Sequence, residues 1–264
     1  MRTEKSYLKW AKSYILFHNK RHPQDMGAAE IESFLRHLAV NRKVAASTQN
    51  QALCALIFLY QEVLNIEMTD KINITYAKRP ETLPVVFTKK EIGEILARLD
   101  GIYWIMGHLL YGAGLRLMEC LRLRVKDMEF SQNQIVIRQA KGQKDRMTML
   151  PKTIKSPLKT HLEKVKQIHE KDLAEGYGAV YLPYALERKY QKANIMWGWQ
   201  YVFPSHKRAI DPRSGVERRH HVSEKALQLR VKNAVRQDFR FHLQGRLFEA
   251  VDFCGQDVGQ YPVF

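Results

Sequence analysis

Between residues 67 and 87 the helical spacing of apolar residues stops, and this break divides the chain. The stretch reads EMTDKINITYAKRPETLPVVF. Pro80 and Pro84 push the residues before them towards extended backbone, so the segment predicts a linker. What precedes it is helical. Tyr7, Leu8, Ala11, Tyr14 and Ile15 recur at helical spacing, and HPQDMG then interrupts them. Ile31, Phe34, Leu35 and Leu38 form a second face. Leu53, Leu56, Ile57, Tyr60 and Leu64 form a third, with Ser47 or Thr48 as its cap. Residues 1–66 therefore predict a small all-α bundle.

The second region has a different grammar. Thr88 and Glu91 in TKKE fit a capping box, and Ile92, Ile95, Leu96 and Leu99 continue it as a helix over 88–99. Helices at 102–112 and 116–123 follow, separated by a glycine break. Extended segments at 125–130 and 134–139, the turn AKGQKD and the segment RMTMLP predict three short antiparallel strands behind the helices. A basic amphipathic helix occupies 156–175, an aromatic irregular stretch 176–206, and a last helix 223–236. The fold class is thus mainly α with a small antiparallel sheet: an all-α domain, then a mixed α+β domain. From 238 the tail DFRFHLQGRLFEAVDFCGQDVGQYPVF follows neither period.

Charge narrows the partners. Lys and Arg number 43 against 27 Asp and Glu, a net +16, which favours a polyanion such as nucleic acid over a membrane surface. The N-terminus lacks a signal-like apolar core, and the longest apolar run, ALCALIFLY, is too short to span a bilayer. Cys54, Cys120 and Cys254 lack metal-ligand spacing and read as small buried hydrophobes. The expectation is a cytoplasmic protein with no membrane partner.

Two short motifs carry chemistry. In GAGLRLMECLRLRVKD, Arg116 stands at a helix start. It either turns to solvent and pairs with Glu119, or points a planar fork into a groove to hold a phosphate through two parallel bonds. Gly112 and Gly114 would keep the backbone slim there, and Glu119 would orient the fork. In QAKGQKDR, Lys141 sits at a turn between strands. It is either a plain hairpin lysine or a mobile amine placed to protonate a leaving oxygen. Lys144 and Arg146 would add phosphate contacts.

In this order the two motifs resemble the tyrosine site-specific recombinases, in which an all-α core-binding domain and a mixed catalytic domain clamp DNA. The resemblance assigns Arg116 to the family's first arginine box and Lys141 to its strand-turn lysine. FHNKRHP, LPVVFTKKEI, YLPYALERKY, YVFPS and RRHH look more specifically like integron integrases. On that reading 1–66 is the SAM-like core-binding domain, 67–87 the linker, and 88–237 a partial catalytic domain. The insertion at about 181–205 would read bases protruding from folded single-stranded sites. Tyr184, Trp197, Trp199 and Tyr201 offer stacking surfaces beside Lys189, Lys192 and Lys207. Trp199, His220 and His221 are the foremost candidates, with Arg218 and Arg219 completing a basic DNA-facing patch. Packing of an insertion core is the other reading of the aromatics. Neither metal nor cofactor is implied, because the family uses arginines where other phosphoryl-transfer enzymes use magnesium.

The resemblance covers about 2–237. The family continues into a His-x-x-Arg pair, a further His or Trp and a tyrosine nucleophile, and residues 238–264 carry no such series. His242 and Arg246 are one residue too far apart, and Tyr261 lacks a helical setting. The expectation is a recombinase by descent that holds phosphate without cleaving DNA. The other reading is a non-enzymatic protein that occupies recombination sites, alone or with intact subunits. Loss of the family's last helices would also bare the apolar faces of 102–112 and 223–236.

Overall fold

Tyr14, Ile31, Leu56 and Tyr60 meet at the centre of the first of two units, residues 1–83 and 84–264, into which the chain divides. The computed structural model describes residues 2–66, 77, 86–138, 145–182, 186–212 and 214–238. In the first unit α1 (Arg2–Phe17) and α2 (Ala28–Arg36) pack with α3 (Ala46–Phe58). The latter two run on into π-helical turns, His37–Asn41 and Leu59–Val63. Two phenols in this core satisfy each other: the Tyr14 and Tyr60 hydroxyls lie 3.0 Å apart, and Tyr60 donates to the Pro23 carbonyl at 3.0 Å. An unpaired buried hydroxyl would cost about 1–3 kcal/mol.

Two details differ from the periodicity. Leu8 is exposed, because the buried face of α1 runs through Trp10 and Tyr14, with Tyr7 set against Phe58. Neither Ser47 nor Thr48 caps α3; Ala45 holds that position and both lie inside the first turn. Ala77, within the expected linker, exchanges two hydrogen bonds with the Asn50 amide at 2.8 and 3.1 Å.

The second unit opens on the reciprocal cap expected of TKKE. The Thr88 N–H donates to Glu91 Oε2 at 2.7 Å, and the Glu91 N–H to Thr88 Oγ1 at 3.3 Å. Helices α4 (Lys89–Ala97), α5 (Gly101–Gly112) and α6 (Leu117–Arg122) follow. Next come β1 (Met128–Glu129), β2 (Gln134–Ile137) and β3 (Arg146–Met149), an antiparallel sheet in that order. The register pairs Ile135 with Thr148 and Ile137 with Arg146. Strand alternation then turns Ile135 and Ile137 into the core and leaves Met147 and Met149 exposed.

The strand expected over 125–130 is mostly a 3₁₀ turn, Val125–Asp127, because the Asp127 carboxylate accepts the Arg124 N–H at 3.0 Å and curls the chain. Helix α7 (Lys152–Ala174) starts four residues earlier than its periodicity indicated. It buries Ile154, Leu158, Leu162 and Val165, each side chain contributing about 1.5–3 kcal/mol. Short α8 (Leu186–Lys189), the pair β4 (Ala209–Ile210) and β5 (Glu217–Arg218), and α9 (Glu224–Asp238) complete the unit.

The apolar faces expected to be bare are largely covered, although Tyr111 and Leu229 stay exposed. Met106 and Leu109 of α5 pack with Leu121, Ile154, Leu158 and Leu227, and Ala234 and Val235 of α9 close on Ile95 and Leu99. Helix α9 supplies the cover itself by folding back over α4 and α5.

Candidate phosphate-binding site

Helix α5 ends at Gly112, where an added Cβ would lie 3.0 Å from the Pro151 ring. Gly114 then takes φ +62°, a left-handed backbone that a side chain would strain. Strand β3 braces this bend from outside: Thr148 Oγ1 donates to the Ala113 carbonyl at 2.9 Å, and Arg146 Nη2 to the Gly114 carbonyl at 3.1 Å. Leu115 and Leu117 are buried on either side of Arg116, so the arginine between them faces outward.

Arg116 is not inside α6 but caps it with extended backbone, φ −70° and ψ 155°. Its N–H donates to Glu119 Oε2 at 2.9 Å, and its Nη1 to Glu119 Oε1 at 2.9 Å. The pairing of Arg116 with Glu119 is thus present, and it sets the direction of the guanidinium head. Arg146 approaches the same carboxylate, Nη2 to Oε2 at 2.8 Å and Nη1 to Oε1 at 3.5 Å. Two guanidinium groups on one carboxylate leave a net positive site, and among the described residues the Arg116 side chain makes one hydrogen bond, to Glu119, at 42% exposure. Charge-assisted hydrogen bonds from such a site to an anionic oxygen are worth about 1.5–3 kcal/mol each.

Lys141, Lys144 and Tyr184 lie outside the described residues, as do His242, Arg246 and Tyr261. The stem beneath Lys141 is described. Arg138 contacts Asp127 at 3.1 Å and Asp145 at 3.8 Å, across the foot of the turn.

The RRHH residues do not form an exposed basic strip. Arg218 is buried, with 8% exposure. Arg219 is spent internally: Nε and Nη2 donate to Asp172 at 2.6 and 2.8 Å, and Nη1 to the Ser205 and His206 carbonyls at 3.0 and 2.8 Å. His220 stacks on Tyr201 with centroids 5.5 Å apart, and His221 meets the same ring edge-on at 5.3 Å. Desolvation pushes the titration of both rings below the ordinary histidine value; next in size are the neighbouring His221 for His220 and the opposing Val222 carbonyl for His221. His220 nonetheless stays exposed and His221 is half-buried. Lys207 stays exposed.

Trp199 is partly exposed and carries Lys126 Nζ 2.9 Å from its ring centroid, with Tyr190 6.3 Å away. Tyr201, by contrast, is core, and burial pushes its phenol up. Trp197 packs beside His169, while Lys189 and Lys192 are exposed.

Sequence reading missed Arg124. It lies 3.7 Å over the Tyr201 ring and donates to the Trp199 and Tyr181 carbonyls at 2.8 and 2.9 Å, fastening the aromatic segment to the body of the unit. Burial lowers its pKa. In LRLRVKD nothing separates it from exposed Arg122, since both alternate with buried leucines.

Comparison with known proteins follows this geometry. The model of the phage integrase N-terminal SAM-like domain matches residues 1–70, and that of the phage integrase family matches 86–244. The match thus runs past 237, where the resemblance in the sequence fades. An integrase/recombinase of Escherichia coli is 44% identical over 237 residues, covering 90% of this chain and 70% of that protein. Tyrosine recombinase XerA of Thermococcus onnurineus is 29% identical over 155 residues, covering 56% of this chain and 53% of that one. Among solved structures, the XerH site-specific recombinase bound to difH substrate aligns over 86% of this chain and 58% of its own, with TM-score 0.48 and 16% identity. With a family match over more than half its length and a relative this similar, the chain belongs to the phage integrase family of tyrosine recombinases.

Proposed function

We propose that this chain is an integron-integrase-like recombinase by descent that binds DNA at recombination sites and holds a backbone phosphate through Arg116. The observation that carries this reading is the outward-facing Arg116, whose fork and backbone N–H are each held by one oxygen of the mostly buried Glu119 carboxylate. On the family's pattern Lys141 would act at the leaving oxygen, with Lys144 adding a phosphate contact.

Covalent strand transfer needs an attacking tyrosine and a second arginine to take up charge on the phosphate. Residues 238–264 contain no His-x-x-Arg pair, and Tyr261 is their only tyrosine. The chain of 264 residues should therefore bind without cleaving. The domain limits follow the same reading: 1–66 core-binding, 67–87 linker, 88–237 catalytic remnant and 238–264 a divergent tail. The integron branch rests on the insertion at about 181–205, where the partly exposed Trp199, with Lys126 on one face, would offer a base at most its remaining open edge. Intact integrase subunits are the protein partners this reading implies, and the cytoplasm its compartment.

The test uses two labelled DNAs, a recombination-site duplex and its folded single strand, with unrelated hairpin RNA as competitor. Binding that prefers the folded strand, with no adduct surviving denaturation, is the expected result. A denaturation-resistant adduct mapping to this chain would overturn the inactivity. Equal binding to the RNA would overturn the recombination-site reading.

A further inference from the structure

We propose that Arg146 is a positioning residue for the Arg116 clamp, acting through Glu119, and does not itself contact the phosphate. This rests on the reading that Arg116 holds a DNA phosphate.

The two arginines spend their donors differently. Among the described residues the Arg116 side chain makes one hydrogen bond, to Glu119. Arg146 makes three, two to the Glu119 oxygens and one to the Gly114 carbonyl. Arg146 thus holds both the carboxylate that aims the Arg116 head and the backbone bend from which the Arg116 stem departs. Turning Arg146 towards a phosphate would release Gly114 and leave Glu119 to Arg116 alone. That would pull the Arg116 fork inward, away from any anion. Arg146 also stands opposite Ile137 in the β2–β3 register, so it ties β3 to the same carboxylate that fixes Arg116. A lysine at 146 would keep the charge but not the fork, since one ammonium cannot span both carboxylate oxygens and a carbonyl in fixed geometry.

The experiment is a double-mutant cycle on the whole chain. Affinity for the labelled recombination-site duplex is measured across a salt series for wild type, Arg116→Ala, Arg146→Ala, Arg146→Lys and the double alanine variant. Arg116→Ala should weaken binding about tenfold. Arg146→Ala and Arg146→Lys should each approach that loss, and the double variant should be no weaker than Arg116→Ala alone. The salt slope should fall by about 0.9, once only, in each alanine variant and in the double. Near-wild-type binding by Arg146→Lys, or losses that add in the double variant, would overturn the proposal and make Arg146 a direct contact. Arg146→Lys decides the matter if the alanine variant does not fold. Unchanged binding by Arg116→Ala would instead remove the phosphate-clamp reading, and the positioning role with it.

Discussion

Two carboxylates in the second unit each hold two arginines, and they do opposite things with them. At Glu119 the side chains of Arg116 and Arg146 keep 42% and 34% exposure; at Asp172 those of Arg208 and Arg219 keep 23% and 17%. Donor use differs more than exposure. Arg219 gives bonds to Asp172 and two carbonyls, while Arg208 serves Asp172, Glu175 and Glu217 and lies 3.9 Å over the Tyr177 ring. The Asp172 cluster is a strut joining α7 to the β4–β5 hairpin. The Glu119 cluster is a strut on one side only: among the described residues Arg116 spends one side-chain bond on it, and on the proposed reading its other donors are the ones that hold a phosphate. Whether such a triad is a brace or a site depends on how many donors the fold has already consumed.

The sharpest way to break this comparison is at the strut. Asp172→Ala should cost about 3 kcal/mol in urea unfolding, at the low end for a broken buried pair because Arg208 keeps some access to water. Burial alone would raise the Asp172 carboxyl, but Arg219 and Arg208 more than reverse this and hold it below its ordinary 3.8. Its folded-state value is therefore depressed. The stability it contributes is present above about pH 3.8 and drains away as pH falls through the folded-state value, whereas Asp172→Ala should show no such component. A variant that unfolds as late as wild type would show the cluster to be no strut.

Arg124→Met should come next, at about 2 kcal/mol, because it leaves the Trp199 and Tyr181 carbonyls without a donor. Tryptophan fluorescence should shift before the rest of the unit melts. Gly114→Val should cost about 1–2 kcal/mol through its left-handed backbone and should also weaken DNA binding, because that bend aims Arg116. Arg116→Ala sits at the other end of the scale. Its stability change should stay within about 0.5 kcal/mol in the same urea titration, as befits an exposed pair. A loss as large as that of Asp172→Ala would erase the distinction between the two clusters.

Local rules carried much of this fold into the sequence. The Thr88 box, the glycine bend before Arg116 and the alternation of β2 and β3 are all readable within a few residues. The Arg116–Glu119 pair was legible for the same reason, being three residues apart. Arg219 was not, because its partner Asp172 lies 47 residues upstream, on α7. Grouped with its neighbours, Arg219 reads as one charge in a basic strip. Arg124 failed likewise, since its acceptors are backbone carbonyls of residues 181 and 199, to which no side-chain pattern points. The cover that α9 gives α4 and α5 is equally illegible locally, because it joins helices more than a hundred residues apart.

The alternation of β3 gives the binding face a built-in recorder. Arg146 and Thr148 turn inward to the Arg116 bend, and Met147 and Met149 stand on the reverse side with 68% and 75% exposure. Exposed thioethers oxidise readily to sulfoxides, and each conversion adds one oxygen that mass spectrometry can assign to its residue. The two methionines therefore sample the outer surface of the strand without disturbing the chemistry on the other. Protection of both during DNA binding would mean that something wraps the hairpin from behind. Unchanged oxidation, alongside full occupancy of the Arg116 side, would mean that the polyanion is held from one face alone.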